Sequence, residues 1–141
     1  MNLPKSREVV YIAGPFTAED RRQIVRNCNN AHFLALRVRA LGYTPFVPHT
    51  GLAGGIAELS AGELIYELPD LGWELSMVDC RALLPCFQAV LMVEGWETSR
   101  GATEERELAK AYGIPVFDTF SELVAAGLGI HRREVVNEPH A

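Results

Sequence analysis

Two five-residue stretches, Val9-Val10-Tyr11-Ile12-Ala13 and Ala89-Val90-Leu91-Met92-Val93, are apolar at every position. A strand with one wet face alternates apolar and polar residues, so a strand without alternation must be covered on both faces. That situation belongs to parallel sheets with helices packed on either side. The chain supplies such helices. From about Glu19 to Leu41 the period changes, and Ile24, Cys28, Ala31, Ala35 and Val38 fall on one helical face, with Leu34 and Leu41 beside it. Arg21, Arg22, Arg26, Arg37 and Arg39 lie off that stripe, and Gly42 supplies a left-handed stop.

The remaining elements follow the same logic. Tyr43 to Pro48 reads as a second strand, and its two prolines restrict it to an edge. Residues 49 to 60 read as a long loop, Ser60-x-x-Glu63 as a capping box opening a short helix, and Pro69-Asp70-Leu71-Gly72 as its break. A helix is expected from about Trp73 to Leu84, and another from Ser99 to Tyr112, ended by Gly113. Pro115-Val116-Phe117 is the fourth strand, and Thr119-x-x-Glu122 caps a last helix through Ala126.

Strands alternating with helices predict an α/β fold: a doubly wound, flavodoxin- or Rossmann-like parallel sheet of four to five strands in the order 2-1-3-4, with helices on both faces. One domain is expected over residues 1–128, with a polar tail over 129–141. In that strand order the winding reverses between strands 1 and 3, and ligands bind in the crevice beyond the carboxyl ends of those strands. Those ends are Gly14-Pro15-Phe16-Thr17 and Glu94-Gly95-Trp96-Glu97. The site is thereby located before any motif is consulted.

Charge narrows the partner. Thirteen Lys and Arg against eighteen Asp and Glu leave a net charge of −5. Broad binding to a nucleic-acid polymer or an anionic membrane needs a basic surface, so both are disfavoured. A small anionic substrate needs only a few local donors and remains compatible. Cys28, Cys80 and Cys86 are odd in number and lack C-x-x-C spacing, which fits buried thiols in a reducing cytoplasm rather than a disulfide framework. No His, Cys and Asp cluster has metal-ligand spacing, so neither metal nor organic cofactor is expected. The N-terminal stretch lacks the features of a secretory signal, and no apolar run approaches the roughly 18 residues of a membrane span. The expected compartment is the cytoplasm.

Several side chains at the crevice carry chemistry. The first turn lacks the G-x-G-x-x-G dinucleotide fingerprint, but Gly14 permits close approach of a ligand to the backbone. Phe16 either stacks on a flat ring or plugs the top of the core. Ser99 is a good N-cap, and Gly101 keeps the first helical turn open, so free N–H groups and the positive end of the helix dipole face the crevice. Glu105, about one and a half turns in, is either an ordinary acidic residue favoured by that dipole or an ionised nucleophile. Asp79 is aimed at the crevice or solvated on the surface. His49 is a loop residue bonded to backbone or a ligand contact. Trp96 is a core or lid residue or, since it emerges at the strand end, an aromatic wall.

These residues together resemble a known family. Val10-Tyr11-Ile12-Ala13-Gly14-Pro15-Phe16, Met77-x-Asp79, Gly95-Trp96-Glu97-x-Ser99-x-Gly101-Ala102-x-x-Glu105 and Gly113-Ile114-Pro115 are similar to the nucleoside 2-deoxyribosyltransferase-like superfamily, over about residues 8 to 126. The resemblance implies cleavage of an N-glycosidic bond through a glycosyl-enzyme. The family nucleophile stands eight residues before the Gly that precedes the last strand, which implies Glu105 rather than Glu104. It also implies Asp79 as the acid that protonates or orients the departing base, paired with Glu105 at roughly 5 Å as in a retaining glycosidase. Tyr11 matches a position beside the sugar and nucleophile, and Gly14, Pro15 and Phe16 match a stretch lining the pocket.

One position separates the branches of the superfamily. Six residues before the nucleophile, nucleoside transferases carry Asp, whereas nucleoside 5′-monophosphate hydrolases carry a phosphate-binding Ser. Here the position is Ser99. A carboxylate repels phosphate, while a hydroxyl and helix N–H groups donate to it, and Arg100 adds positive charge. The implied function is an N-glycosidase acting on a nucleoside 5′-monophosphate. Base exchange between nucleosides is the alternative within the class, and a non-catalytic nucleotide-binding module is the alternative outside it. The resemblance also implies a homodimer or higher homo-oligomer. The 49–72 segment and Trp96 have no clear counterpart in the characterised enzymes.

Overall fold

The unbroken apolar run at residues 9–13 lies at the centre of the sheet. The computed structural model describes residues 8–16, 18–51 and 77–127. Strand β1 (Val9–Ala13) is followed by helix α1 (Arg21–Ala40), strand β2 (Thr44–Phe46) and a single helical turn α2 (Pro48–Gly51). Helix α3 (77–83) runs into a 3₁₀ turn at Leu84–Cys86 and then strand β3 (Ala89–Met92). A second 3₁₀ turn (Trp96–Thr98) leads to α4 (Arg100–Ala111), strand β4 (Val116–Phe117) and α5 (Phe120–Ala126).

All four strands are parallel and stand in the order β2-β1-β3-β4, as the patterning predicts. Val10 faces Pro45 on one side and Ala89 on the other, and Leu91 faces Phe117. Pro45 has no N–H to offer a further neighbour, which suits β2 to its edge position. Alternate β1 side chains enter opposite layers, which is why the run does not alternate. Val10 and Ile12 pack with Ala31, Ala35 and Val38 of α1 and with Leu123 of α5. Tyr11 and Ala13 pack with Cys80 and Leu84 on the α3 side and with Ala102 and Ala109 of α4. Each large apolar side chain buried this way contributes roughly 1.5–3 kcal/mol.

Helix α1 buries the predicted stripe and one polar residue besides. Asp20 caps it, with Oδ1 accepting from the Arg22 N–H at 2.9 Å. Asn27 is buried because its amide ties down the β1–α1 turn: Nδ2 donates to the Phe16 carbonyl at 3.1 Å while Oδ1 accepts from Gln23 at 2.9 Å. Gly42 takes φ +102° after the helix, a value L side chains rarely adopt.

Three readings change. Pro48, expected to end the second strand, and residues 49–51, expected to begin a loop, form a helical turn, because Pro48 has the fixed φ that suits a first turn. The helix expected to run to Leu84 tightens to 3₁₀ geometry there, where Pro85 has no N–H to continue an α-helix. Cys86, expected buried, is exposed on that turn, while Cys28 and Cys80 are buried, and all three are free thiols. The capping box at Ser60, the break at 69–72, the onset of the helix near Trp73 and the 129–141 tail lie outside the described residues.

Candidate active site

Beyond the carboxyl ends of β1 and β3 the chain diverges into the two crevice segments. The Val93 N–H donates to the Ala13 carbonyl at 2.8 Å, the last ladder contact before they separate. Gly95 then takes φ +91°, which turns the chain out of the sheet into the Trp96–Thr98 turn. Ser99 ends that turn and caps α4, its Oγ accepting from the Ala102 N–H at 3.2 Å. Used as an acceptor, the Ser99 hydroxyl keeps its own proton to donate. Arg100 is exposed at the first helical position and Gly101 is half-buried behind it.

Six residues on from Ser99, about 9 Å along the axis, α4 carries Glu105 into the interior. Its exposure is only 6%. A carboxylate so buried needs donors. The Tyr11 hydroxyl supplies one, donating to Glu105 Oε2 from the middle of β1. Tyr11 is itself fully buried, and its ring is held by Phe87, edge-on at 5.1 Å, and by Phe46, tilted at 5.8 Å. The same phenolic oxygen stands 2.8 Å from Cys80 Sγ on α3.

Three titratable groups therefore meet in the buried interior. Burial pushes the Glu105 carboxyl up to about 7, against the Tyr11 and Cys80 contacts that favour its ionised form and with a smaller upward push from Glu104. Burial, then the charge of Glu105, pushes the Cys80 thiol up to about 12 and the Tyr11 phenol well above its usual range. Near neutral pH only Glu105 changes charge. A carboxyl poised there, held by a phenol and reached from a helix N-terminus, can serve as nucleophile or as general acid and base. Its neighbour Glu104 is half-buried: Oε1 pairs with Arg81 at 3.5 Å, while Oε2 is buried with no hydrogen-bond partner among the described residues.

Trp96 is half-buried against the Tyr11 layer, and the Arg106 guanidinium lies 4.6 Å from its ring centroid. Arg106 is locked by a two-pronged contact with Asp118, at 2.8 and 2.9 Å. On the β1 side of the crevice, His49 is buried and its Nε2 is 2.8 Å from the Pro15 carbonyl. Burial lowers the His49 pKa, so the ring is neutral, donates through Nε2 and leaves Nδ1 as an acceptor. Phe16 meets the His49 ring edge-on at 5.4 Å and packs on Ile24 and Cys28.

A family model described as a domain of unknown function (DUF4406) matches residues 8–118. The chain belongs to this family. No curated protein matches it. The DUF4406 match takes in both crevice segments, so Tyr11, Cys80, Ser99 and Glu105 all lie within the family domain.

Not every expected residue of this DUF4406 chain meets at the crevice. Tyr11 and Glu105 are brought together. Asp79 is exposed, and Cys80 takes the inward position instead. The signal was present in the sequence, because Met77, Cys80 and Leu84 repeat at i, i+3 and i+7 and are the buried face, which leaves Asp79 outside it. Gly14 has a further reason to be glycine. A Cβ there meets Val93 Cβ at 2.5 Å, so the close approach it permits is that of a core valine. The Arg106–Asp118 fork behind Trp96 has no local sequence pattern, since its partners are 12 residues apart on different elements. Among the described residues no group of three or more His, Cys, Asp or Glu is placed to hold a metal ion. No described helix is long and apolar enough to cross a membrane.

Proposed function

We propose that the protein is an N-glycosidase that hydrolyses the base–sugar bond of a nucleoside 5′-monophosphate, with Glu105 as nucleophile. The observation that carries this reading is the Tyr11–Glu105 hydrogen bond inside the crevice. It fixes one carboxylate oxygen, Oε2, and leaves the other to attack. Oε1 forms a bond to C1′ as the C1′–N bond breaks, its electron pair leaving with the base. Water then attacks C1′, the sugar–Oε1 bond breaks, and Glu105 returns to its starting state. The water's proton passes to solvent, and the base takes one from Asp79 or from solvent.

Ser99 is the phosphate anchor in this reading. Its hydroxyl proton, the first N–H groups of α4 and the helix dipole all favour an anion at the mouth of the site. Trp96, held by Arg106, and Phe16, held by Ile24 and Cys28, are the aromatic walls on either side, and His49 backs Phe16. The base-exchanging nucleoside transferases have Asp at the place of Ser99, which favours hydrolysis of a monophosphate over base exchange.

The deciding experiment incubates the protein with a panel of nucleosides and their 5′-monophosphates and follows free base by chromatography. Base release from monophosphates, absent in Glu105→Gln, is the expected result. A new nucleoside formed on adding a second base indicates transfer. Monophosphate binding without turnover indicates a binding module and overturns the proposal.

A further inference from the structure

A phenol has one proton, and Tyr11 has two neighbours that compete for it. Its oxygen contacts Glu105 Oε2 and lies 2.8 Å from Cys80 Sγ. The carboxylate is much the stronger acceptor and takes the phenolic proton. The thiol, pushed up to about 12 by burial and by the Glu105 charge, keeps its own proton throughout the neutral range. That S–H has the Tyr11 oxygen within reach as an acceptor. Cys80 is buried, and α3 and β1 hold the two atoms in register through Leu84 and Phe87.

We propose that Cys80 is a positioning residue for Glu105: its thiol donates to the Tyr11 oxygen, and Tyr11 in turn donates to the carboxylate. The inference rests on the reading of Glu105 as the reacting group. The S–H polarises the phenol and makes it a better donor, which favours the ionised form of Glu105. The Cys80 thiol also contacts the carboxylate directly, which favours the same ionised form, and the other groups facing it are few. Glu104 adjoins it on α4 and is itself paired with Arg81 of α3, Asp79 lies next to Cys80 on α3, and Phe46 and Phe87 close the pocket on the strand side.

The test is a direct titration of Glu105 in the full chain, by ¹³C NMR of labelled glutamate carboxyls with the resonance assigned through Glu105→Gln. Cys80→Ala is expected to raise the midpoint by roughly one pH unit, the loss of one donor to a charged group. Cys80→Ser, which restores an O–H donor of similar size, is expected to return it close to the starting value. A purely packing role predicts no difference between the Ala and Ser variants. An unchanged midpoint in Cys80→Ala, with Tyr11→Phe still shifting it, overturns the proposal.

Should Cys80→Ala not fold, infrared spectra of the unaltered protein decide the matter. An S–H stretching band is expected to shift across the Glu105 titration and to lose that shift in Tyr11→Phe. A band that does not move, or that keeps its shift in Tyr11→Phe through the direct contact with the carboxylate, overturns the proposal. The two readings fail separately: a coupled titration without base release removes the glycosidase but keeps the thiol's role. Base release by Cys80→Ala with an unchanged pH profile does the reverse.

Discussion

Tyr11 reaches across 94 residues of chain, from the centre of β1 to the second turn of α4, to give its hydroxyl proton to Glu105. Neither group is explicable alone. A phenol with no exposure needs an acceptor, and a carboxyl at 6% exposure needs a donor. Their pairing puts a titratable acid in the interior at the point where the sheet changes winding direction. The fold thus spends core volume on a polar contact, which is the usual sign of a site rather than of packing.

The first prediction concerns that bond. Tyr11→Phe removes the largest contact favouring the ionised form of Glu105, whose midpoint of about 7 then rises. At pH 7 the rate of base release falls about tenfold, and part of the loss returns as the pH is raised. The check is a pH–rate profile of both proteins. An acid limb that stays in place in the variant contradicts the assignment of Glu105.

Ser99 combines two tasks that substitutions can separate. Ser99→Ala removes the acceptor for the Ala102 N–H and costs about 1 kcal/mol of stability. Ser99→Asp keeps an excellent cap but places a negative charge where the phosphate is proposed to sit. The expected outcome is near-normal thermal stability with KM for monophosphates raised at least tenfold, and little change for the unphosphorylated nucleoside. Equal losses on both substrates in Ser99→Asp rule out Ser99 as the anchor.

Asp79 offers a third test. It is exposed beside Cys80, whereas a second catalytic carboxylate belongs near Glu105. If Asp79 delivers the proton to the departing base, Asp79→Asn lowers kcat by about a hundredfold or more. If solvent delivers the proton, kcat falls less than threefold. Steady-state kinetics on a base with a good and a poor leaving group separate the two, because only a lost acid penalises the poor one selectively.

Much of this architecture was legible in periodicity. The non-alternating runs at 9–13 and 89–93 fixed two central parallel strands, and the 24-28-31-35-38 stripe fixed the inner face of α1. What escaped were relationships that no local window contains. Cys80 was expected as a buried thiol, which it is; that it stands against Tyr11, with Asp79 turned outward, follows from its phase with Met77 and Leu84. Gly14 was read as making room for a ligand, when the nearest obstacle to a side chain is Val93 of the adjacent strand. His49 makes the backbone hydrogen bond expected of it, to the Pro15 carbonyl, but stands on one turn of helix that begins at a proline and has no periodicity to detect. Long-range pairs are set by strand order and register: the family resemblance put Tyr11 beside the nucleophile, but periodicity alone could not pair it with Glu105.

Gly14 yields a prediction independent of any chemistry. Its φ is not in the left-handed region, so the backbone tolerates alanine, and the penalty comes from Val93 alone. Gly14→Ala is expected to cost about 1–3 kcal/mol through overpacking. Adding Val93→Ala vacates the space, so the double variant is less destabilised than the sum of the singles by about 1 kcal/mol or more. Urea unfolding of the four proteins measures this coupling, and strict additivity contradicts it.

The buried carboxyl also makes stability depend on pH in a direction opposite to that of a salt-bridged acid. Glu105 rises from an ordinary value of 4.5 to about 7 in the folded protein, so the folded state holds this proton more tightly than the unfolded chain does. Its contribution to stability is complete below pH 4.5 and is lost as the pH rises through 7, amounting to about 3 kcal/mol. Glutamine keeps an acceptor for Tyr11 and carries no charge at any pH. Glu105→Gln is therefore expected to match the parent near pH 4.5 and to exceed it by up to about 3 kcal/mol at pH 8, while losing base release altogether. Denaturant unfolding at the two pH values is the measurement. A parent protein that loses nothing relative to Glu105→Gln between them shows that the carboxyl is not desolvated in solution, whereas the expected divergence shows that stability is sacrificed to keep an ionisable group in the interior.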